Sequence, residues 1–178
     1  RLSVLGTQFS QNLLADEREW FLKLDDLHAE GLPDFLIQAA TSAAEEKGLG
    51  GMIITMSRSL IVPFLQFSSK RDLRELAYNA WAARGNNQGE RDNKLLAQEM
   101  LELRQEMAKL LGYENFASFR LEIEMAKTPS NALELLKKVW APARIRAEQD
   151  ADVLQALMHN DGVKGDLEKW DWRYYSEK

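Results

Sequence analysis

The sequence predicts a mainly α-helical protein, an elongated array of helices with one small two-stranded antiparallel sheet. The helical part rests on apolar residues that recur every three or four positions in several long segments. The sheet rests on two short segments, about residues 19–25 and 52–56, where that period is lost and, in the second, β-branched residues take the middle positions. A single strand would leave its backbone groups unpaired, so we expect these two strands to pair with each other.

The clearest helix is predicted between Asp92 and Gly112. Its apolar positions advance in alternating steps of four and three residues, through Leu96, Met100, Leu103, Met107 and Leu110. The short side chains of Asp92 and Asn93 can accept hydrogen bonds from the free N–H groups of a first turn. Gly112 can adopt the left-handed conformation that ends a helix. A stripe this long needs a packing partner on at least one side.

Further helices are predicted on both sides of this segment, over about residues 2–15, 33–48, 57–68, 69–84, 115–126, 129–158 and 170–178. Pro33 suits the first position of its helix because that N–H needs no partner, and Ser69 with Asp72 resembles a capping box. The helix from Pro129 would be roughly 45 Å long, whereas a compact body of this chain length is about 40 Å across. We therefore expect a helical slab, or one wall of a larger body.

Four aromatic side chains at helical spacing are expected in the core, namely Trp81, Phe116, Phe119 and Trp140. Asp171 lies between Trp170 and Trp172, and two interpretations stay open: a buried carboxyl group with a shifted pKa, or the N-cap of the last helix with the tryptophans packing on opposite sides.

Composition excludes several functional classes. The 178 residues suffice for one domain with a real core, and the net charge of −5 argues against a nucleic-acid surface. The absence of cysteine excludes disulfides and a thiolate nucleophile. No apolar run approaches the ~20 residues that span a bilayer, so we expect no membrane segment and, on balance, a cytoplasmic protein.

Residues with catalytic potential are few. The two histidines, His28 and His159, lie in predicted turns, and neither belongs to a His-Glu-x-x-His motif, so we interpret both as ordinary surface residues. Arg84 precedes a glycine-containing loop that ends at Asp92 and Asn93. We expect its guanidinium to hold the ends of this loop by charge-assisted hydrogen bonds; lining a peptide channel is the alternative.

Residues spread along the chain resemble the thimet oligopeptidase family of zinc metallopeptidases. They are Arg84, Asp92-Asn93, Leu103-Arg104, Ala108, Leu110 to Tyr113, Met125-Ala126, Trp170-Asp171 and Tyr174 to Lys178. The resemblance covers nearly the whole chain in order, and within the family it favours the peptidyl-dipeptidase type over the oligopeptidase A type. We treat Arg84, Asp92, Asn93, Arg104, Gly112, Tyr113, Trp170 and Asp171 as its structural motif positions.

The resemblance implies a zinc-dependent peptidase in which helices enclose a channel for short peptides. It places the His-Glu-x-x-His motif after Lys178, so residues 1–178 are expected to be one helical fragment of the channel-forming body. This fragment would hold no catalytic residue and no zinc, would be inactive alone, and would pack against the remaining catalytic part of the same polypeptide. The sequence leaves the substrate-binding residues unassigned.

The alternative function is a free-standing helical module for protein interaction, without catalytic activity. The two hypotheses differ in what they leave exposed. A fragment should present a large apolar patch, through which it could self-associate, whereas a complete module should have a polar surface.

Overall fold

The computed structural model describes residues 1–178, and it confirms the mainly α fold with one two-stranded sheet. In chain order the elements are α1 (Leu2–Glu19), β1 (Phe21–Leu24), α2 (Asp26–Ala29), α3 (Asp34–Glu46), β2 (Met52–Thr55), α4 (Arg58–Phe67), α5 (Arg71–Ala82), α6 (Lys94–Leu110), α7 (Phe116–Leu121), α8 (Pro129–Asn160) and α9 (Trp172–Glu177).

The two predicted strands pair with each other in antiparallel fashion, as expected. Phe21 lies opposite Thr55, and Leu24 lies opposite Met52. Ile53 and Ile54 are both fully buried. Because successive side chains point to opposite faces of a sheet, β2 must be covered on both faces. Helices α3 and α4 both pack against β2, which makes the sheet an internal support for the helices rather than an exposed edge.

The main hydrophobic core lies in the N-terminal half, where α3, α4 and α5 surround the sheet. Its fully buried members are Leu36, Ala40, Ile54, Ile61, Phe64 and Ala77. Leu36 and Ala40 lie four residues apart on α3, and Ile61, Phe64 and Leu65 keep helical spacing on α4, so the predicted apolar stripes do face inward here.

The C-terminal half buries much less. Helix α6 buries only Ala108, α7 buries no residue, and α8 buries only Leu154 and Met158 near its end. These two side chains form a small second core with Tyr175 of α9. With 32 residues, α8 is roughly 48 Å long, which agrees with the expected helical slab.

Several predicted element limits were wrong. Helix α7 ends at Leu121 rather than near residue 126, and Ile123 and Met125 are 74% and 98% exposed. The apolar residues predicted to continue α7 beyond Leu121 have no surface to pack against. Because short helices need tertiary packing for stability, α7 ends there. The proposed capping box at Ser69 is also absent, because α5 begins at Arg71 and no side chain caps its first turn.

The predicted core position of Trp140 was wrong as well, since this side chain is 68% exposed. Trp81 does pack against the main core, and Phe116 and Phe119 are half-buried against each other at 6.0 Å between ring centroids. The difference lies in the neighbours, because α8 contacts mainly α7 and α9, and these helices leave Trp140 exposed.

Candidate functional site

The most deeply buried charged group is the carboxylate of Asp171, directly before α9. Two arginines from the first turn of α5 hold it: Arg74 Nη2 donates to Oδ1 at 2.8 Å, and Arg71 Nη2 donates to Oδ2 at 2.7 Å. Asp171 and Arg74 are 0% and 1% exposed, and the backbone N–H of Glu168 adds a third donor at 3.1 Å. The cluster fastens α9 to the start of α5.

Burial by itself raises the pKa of the Asp171 carboxyl, but the hydrogen bonds from Arg71 and Arg74 outweigh that effect and leave the pKa below its usual value. Hydrogen bonding to the same carboxylate raises the pKa of Arg71. The remaining donors of Arg74 reach the carbonyl oxygens of Ser68, at 2.7 Å, and Trp170, at 3.2 Å. Every charge in the cluster is therefore paired, and its role is to position helices.

Of the two interpretations of Asp171, the structure supports the buried carboxyl. Asp171 does lie at the N-cap position of α9, but its side chain makes no capping hydrogen bond because both oxygens face the arginines. Trp170 lies half-buried with its ring 6.5 Å from that of Tyr78, whereas Trp172 is 39% exposed.

The loop between α5 and α6 is closed differently from the prediction. Arg84 does not bond Asp92 or Asn93; its guanidinium pairs with Glu17 of α1 and donates from Nε to the carbonyl of Trp81 at 2.9 Å. The loop ends are joined instead by the backbone N–H of Asn93, which donates to the carbonyl of Gly85 at 2.8 Å. Glu17 of α1 is the ion-pair partner of Arg84, and Asp92 pairs with Lys94 instead.

Asp92 and Asn93 each have a separate role in this loop. Asp92 accepts hydrogen bonds from the backbone N–H groups of Lys94, at 2.9 Å, and Gln88, at 3.0 Å. Hydrogen bonds from Lys94, with smaller help from Gln88, keep the pKa of Asp92 below its ordinary value. Asn93 is buried, accepts from Asn12 at 2.9 Å and donates to the carbonyl of Phe9 at 3.0 Å. The loop is thus anchored to α1.

A cavity of about 390 Å³ opens where α1 and α5 end, and Arg84 forms part of its wall. The other lining residues are Asp16, Glu19, Trp20, Met56, Ala80, Ala83 and Asn87. Its charges are already engaged, since Asp16 accepts from the backbone N–H of Gly85 at 2.8 Å and Glu19 pairs with Arg91 at 2.6 Å. The cavity could accommodate an apolar group but presents no unpaired group for chemistry.

The remaining motif positions end α6 and begin α7. Gly112 has φ +84°, and the N–H groups of Gly112 and Tyr113 donate to the carbonyls of Lys109 and Ala108, which is a Schellman motif. The Tyr113 hydroxyl donates to Glu122, and this bond raises the tyrosine pKa. Arg104 lies over the ring of Phe116 at 5.4 Å. These contacts are structural.

The residues present do not fit a catalytic zinc ion. No group of three or more His, Cys, Asp or Glu side chains is arranged to hold a metal, whereas such a zinc needs three protein ligands. His28 lies against Asp25 in a one-turn helix, and His159 contacts Gln155 and the carbonyl of Gly165 at 3.1 Å. No helix has both the length and the hydropathy to cross a membrane.

The first half of α8 exposes five large apolar side chains to solvent. This surface, called here the α8 apolar face, consists of Leu133, Leu135, Leu136, Val139 and Trp140. Of these five residues, the sequence analysis predicted a core position for Trp140, and that prediction was wrong. Large contiguous apolar patches on soluble proteins mark sites of interaction.

The sequence profile of Peptidase family M3 matches residues 64–178, which include this face and the Asp171 cluster. The chain belongs to Peptidase family M3. The resemblance to the thimet oligopeptidase family is thereby confirmed. The M3 chain is 36% identical to oligopeptidase A of Escherichia coli over 183 residues, covering 100% of this chain and 27% of that protein.

The chain is also similar to peptidases of other names and other organisms. The dipeptidyl carboxypeptidase of Salmonella typhimurium is 33% identical over 100% of this chain and 28% of its own length. The organellar oligopeptidase A of Arabidopsis thaliana is 35% identical over 99% of this chain and 23% of its own length. The M3 chain thus spans about a quarter of the length of the curated relatives it matches. These identities do not favour the peptidyl-dipeptidase type expected from the sequence.

Proposed function

We propose that this chain forms part of the body of a metal-dependent M3 oligopeptidase that hydrolyses short peptides. In this proposal it contributes scaffold and channel wall, and the rest of the polypeptide supplies the metal, expected to be zinc, and its ligands. The single observation that carries the proposal is the match to Peptidase family M3 over residues 64–178.

Two structural features support the scaffold role. The buried Asp171 carboxylate, whose pKa is lowered, holds helices together, because arginines bind both of its oxygens. The side chains of the α8 apolar face are all more than half exposed, as expected for a surface that another part of a protein covers. A site for metal-dependent peptide hydrolysis would need a polarising metal and a base within reach of one carbonyl, and no three His, Cys, Asp or Glu side chains are grouped here to hold a metal.

The alternative, a free-standing interaction module, is not favoured. Such a module should have a polar surface, whereas α8 leaves Leu136 and Trp140 63% and 68% exposed. The named relatives are peptidases, and they align over the entire chain. Three statements stay predictions: the cytoplasmic location, the assignment of residues 1–178 to one helical fragment, and the part of the channel that this fragment lines.

The decisive experiment is to sequence the open reading frame that encodes this chain and to assay its whole product. We expect the frame to continue past Lys178 into a His-Glu-x-x-His motif, and the product to cleave short fluorogenic peptides in a reaction that a metal chelator stops. A frame that ends at Lys178, or a whole product without chelator-sensitive cleavage, would refute the proposed function.

A further inference from the structure

The α8 helix is covered at one end and bare at the other, although its apolar stripe is continuous. Leu154 and Met158 are buried against Tyr175 of α9. At 100° per residue, Leu133, Leu136 and Trp140 fall on the same side of the helix as these two buried residues. The stripe that packs against α9 therefore continues, without a break in its direction, into the exposed α8 apolar face.

The stripe is flanked by further apolar side chains. Leu135 and Val139 lie on the adjoining side of α8 and are more than half exposed. The resulting arc exceeds the narrow seam of a two-helix contact and is the width that buried helices present to a core. Burying such side chains contributes about 25 cal/mol per Å² of apolar surface, so leaving them in water is unfavourable.

Charges along α8 indicate the character of the partner. Arg144 and Arg146 pair with Glu148 and Asp150 one turn further along. Lys137, beside the apolar face, has no carboxylate at ion-pair distance among the ion pairs of α8. Glu134, the one carboxylate near it in sequence, accepts a hydrogen bond from Ser130 instead. A matching surface would be apolar with an acidic group at the edge beside Lys137.

We propose that the α8 apolar face is the docking surface for an amphipathic, acid-edged helix from the remainder of the same M3 polypeptide. This inference rests on the proposed function, since it takes the rest of an M3 peptidase as the partner. It adds which surface of the chain makes the contact and which chemistry the contacting segment has. A second copy of this chain is the competing occupant.

The test compares solvent access of Trp140 and Leu136 in two proteins, the 178-residue chain at low concentration and the whole product of its reading frame. Hydroxyl-radical labelling with mass spectrometry gives a rate for each side chain. We expect both side chains to label at least fivefold more slowly in the whole product. Ile145 is the matched control for Leu136: it lies on the same helix, is similarly exposed at 57%, falls on the opposite side at 100° per residue, and should change less than twofold.

Substitutions give a second readout. Trp140→Glu should leave the melting temperature of the 178-residue chain within about 2 °C, because the site is exposed there, and should lower that of the whole product by more than 5 °C. Ile145→Glu should have a small effect in both proteins. Unchanged labelling of Trp140 in the whole product would overturn the inference, even where that product is an active peptidase. Labelling of Trp140 in the whole product that stays fast at low concentration and slows only as concentration rises would assign the face to a second copy and overturn it too.

Discussion

Arg74 and Asp171 are 97 positions apart in sequence, yet Arg74 Nη2 donates to Asp171 Oδ1 at 2.8 Å with both side chains excluded from water. This pair joins α5, which borders the main core, to α9, which borders the small second core with α8. This charge contact acts together with the packing of α9 against α4 and α8 to hold the last helix in place.

Replacement of Asp171 by asparagine should destabilise the chain strongly. Asp171→Asn leaves Arg74 buried without an opposing charge, and breaking a buried pair from one side costs about 3–5 kcal/mol. Urea unfolding followed by circular dichroism measures the loss. Asp150→Asn, which removes an exposed pair with Arg146, is the control and should change stability by less than about 1 kcal/mol. Equal effects of the two substitutions would contradict the structural role of Asp171.

The same pair predicts a specific dependence of stability on pH. Because the folded-state pKa of Asp171 lies below its ordinary value, the contribution of Asp171 to stability is fully present above about pH 4 and is lost as pH falls through the lower folded-state pKa. The difference in unfolding free energy between the wild-type chain and Asp171→Asn should be constant from pH 7 to 5 and shrink below pH 4. If this free-energy difference shrinks between pH 7 and 5, the pKa of Asp171 in the folded chain is raised and not lowered.

Two glycines with positive φ should respond differently to alanine. At Gly112, φ +84°, an added Cβ meets nothing within 4 Å, so Gly112→Ala should cost only the backbone strain of about 1 kcal/mol. At Gly85, φ +66°, the Cβ would lie 2.8 Å from Asn93 Nδ2 and 2.9 Å from Leu13 Cδ2. Gly85→Ala should therefore cost about 2–4 kcal/mol, because overpacking adds to the strain. Thermal melts of both variants compare them directly, and a smaller loss at Gly85 would show that the loop is not packed on α1 as described.

Sequence reasoning succeeded where the determining interactions are local. Gly112 ends α6 because its own backbone conformation allows a Schellman motif, as its position after the apolar stripe predicted. The two strands were also found, since their pattern breaks the helical period and each is the other's only partner.

It failed where a partner is distant in sequence. The salt bridge of Arg84 is to Glu17, 67 residues away, so nothing in the neighbourhood of Arg84 pointed to it. Asp171 was ambiguous for the same reason, because its arginines lie on α5. Trp140 shows a different limit: periodicity identifies a face that needs burial, but it does not identify what covers that face or whether the covering element is part of the chain.

The central claim is that residues 1–178 carry the framework of an M3 peptidase and that the catalytic metal is held elsewhere. The most direct measurement is peptide hydrolysis by the purified 178-residue chain supplied with zinc, with and without a chelator. The account predicts no cleavage above the rate of the buffer and no tight zinc binding by calorimetry. Cleavage by this chain alone that a chelator abolishes would contradict it.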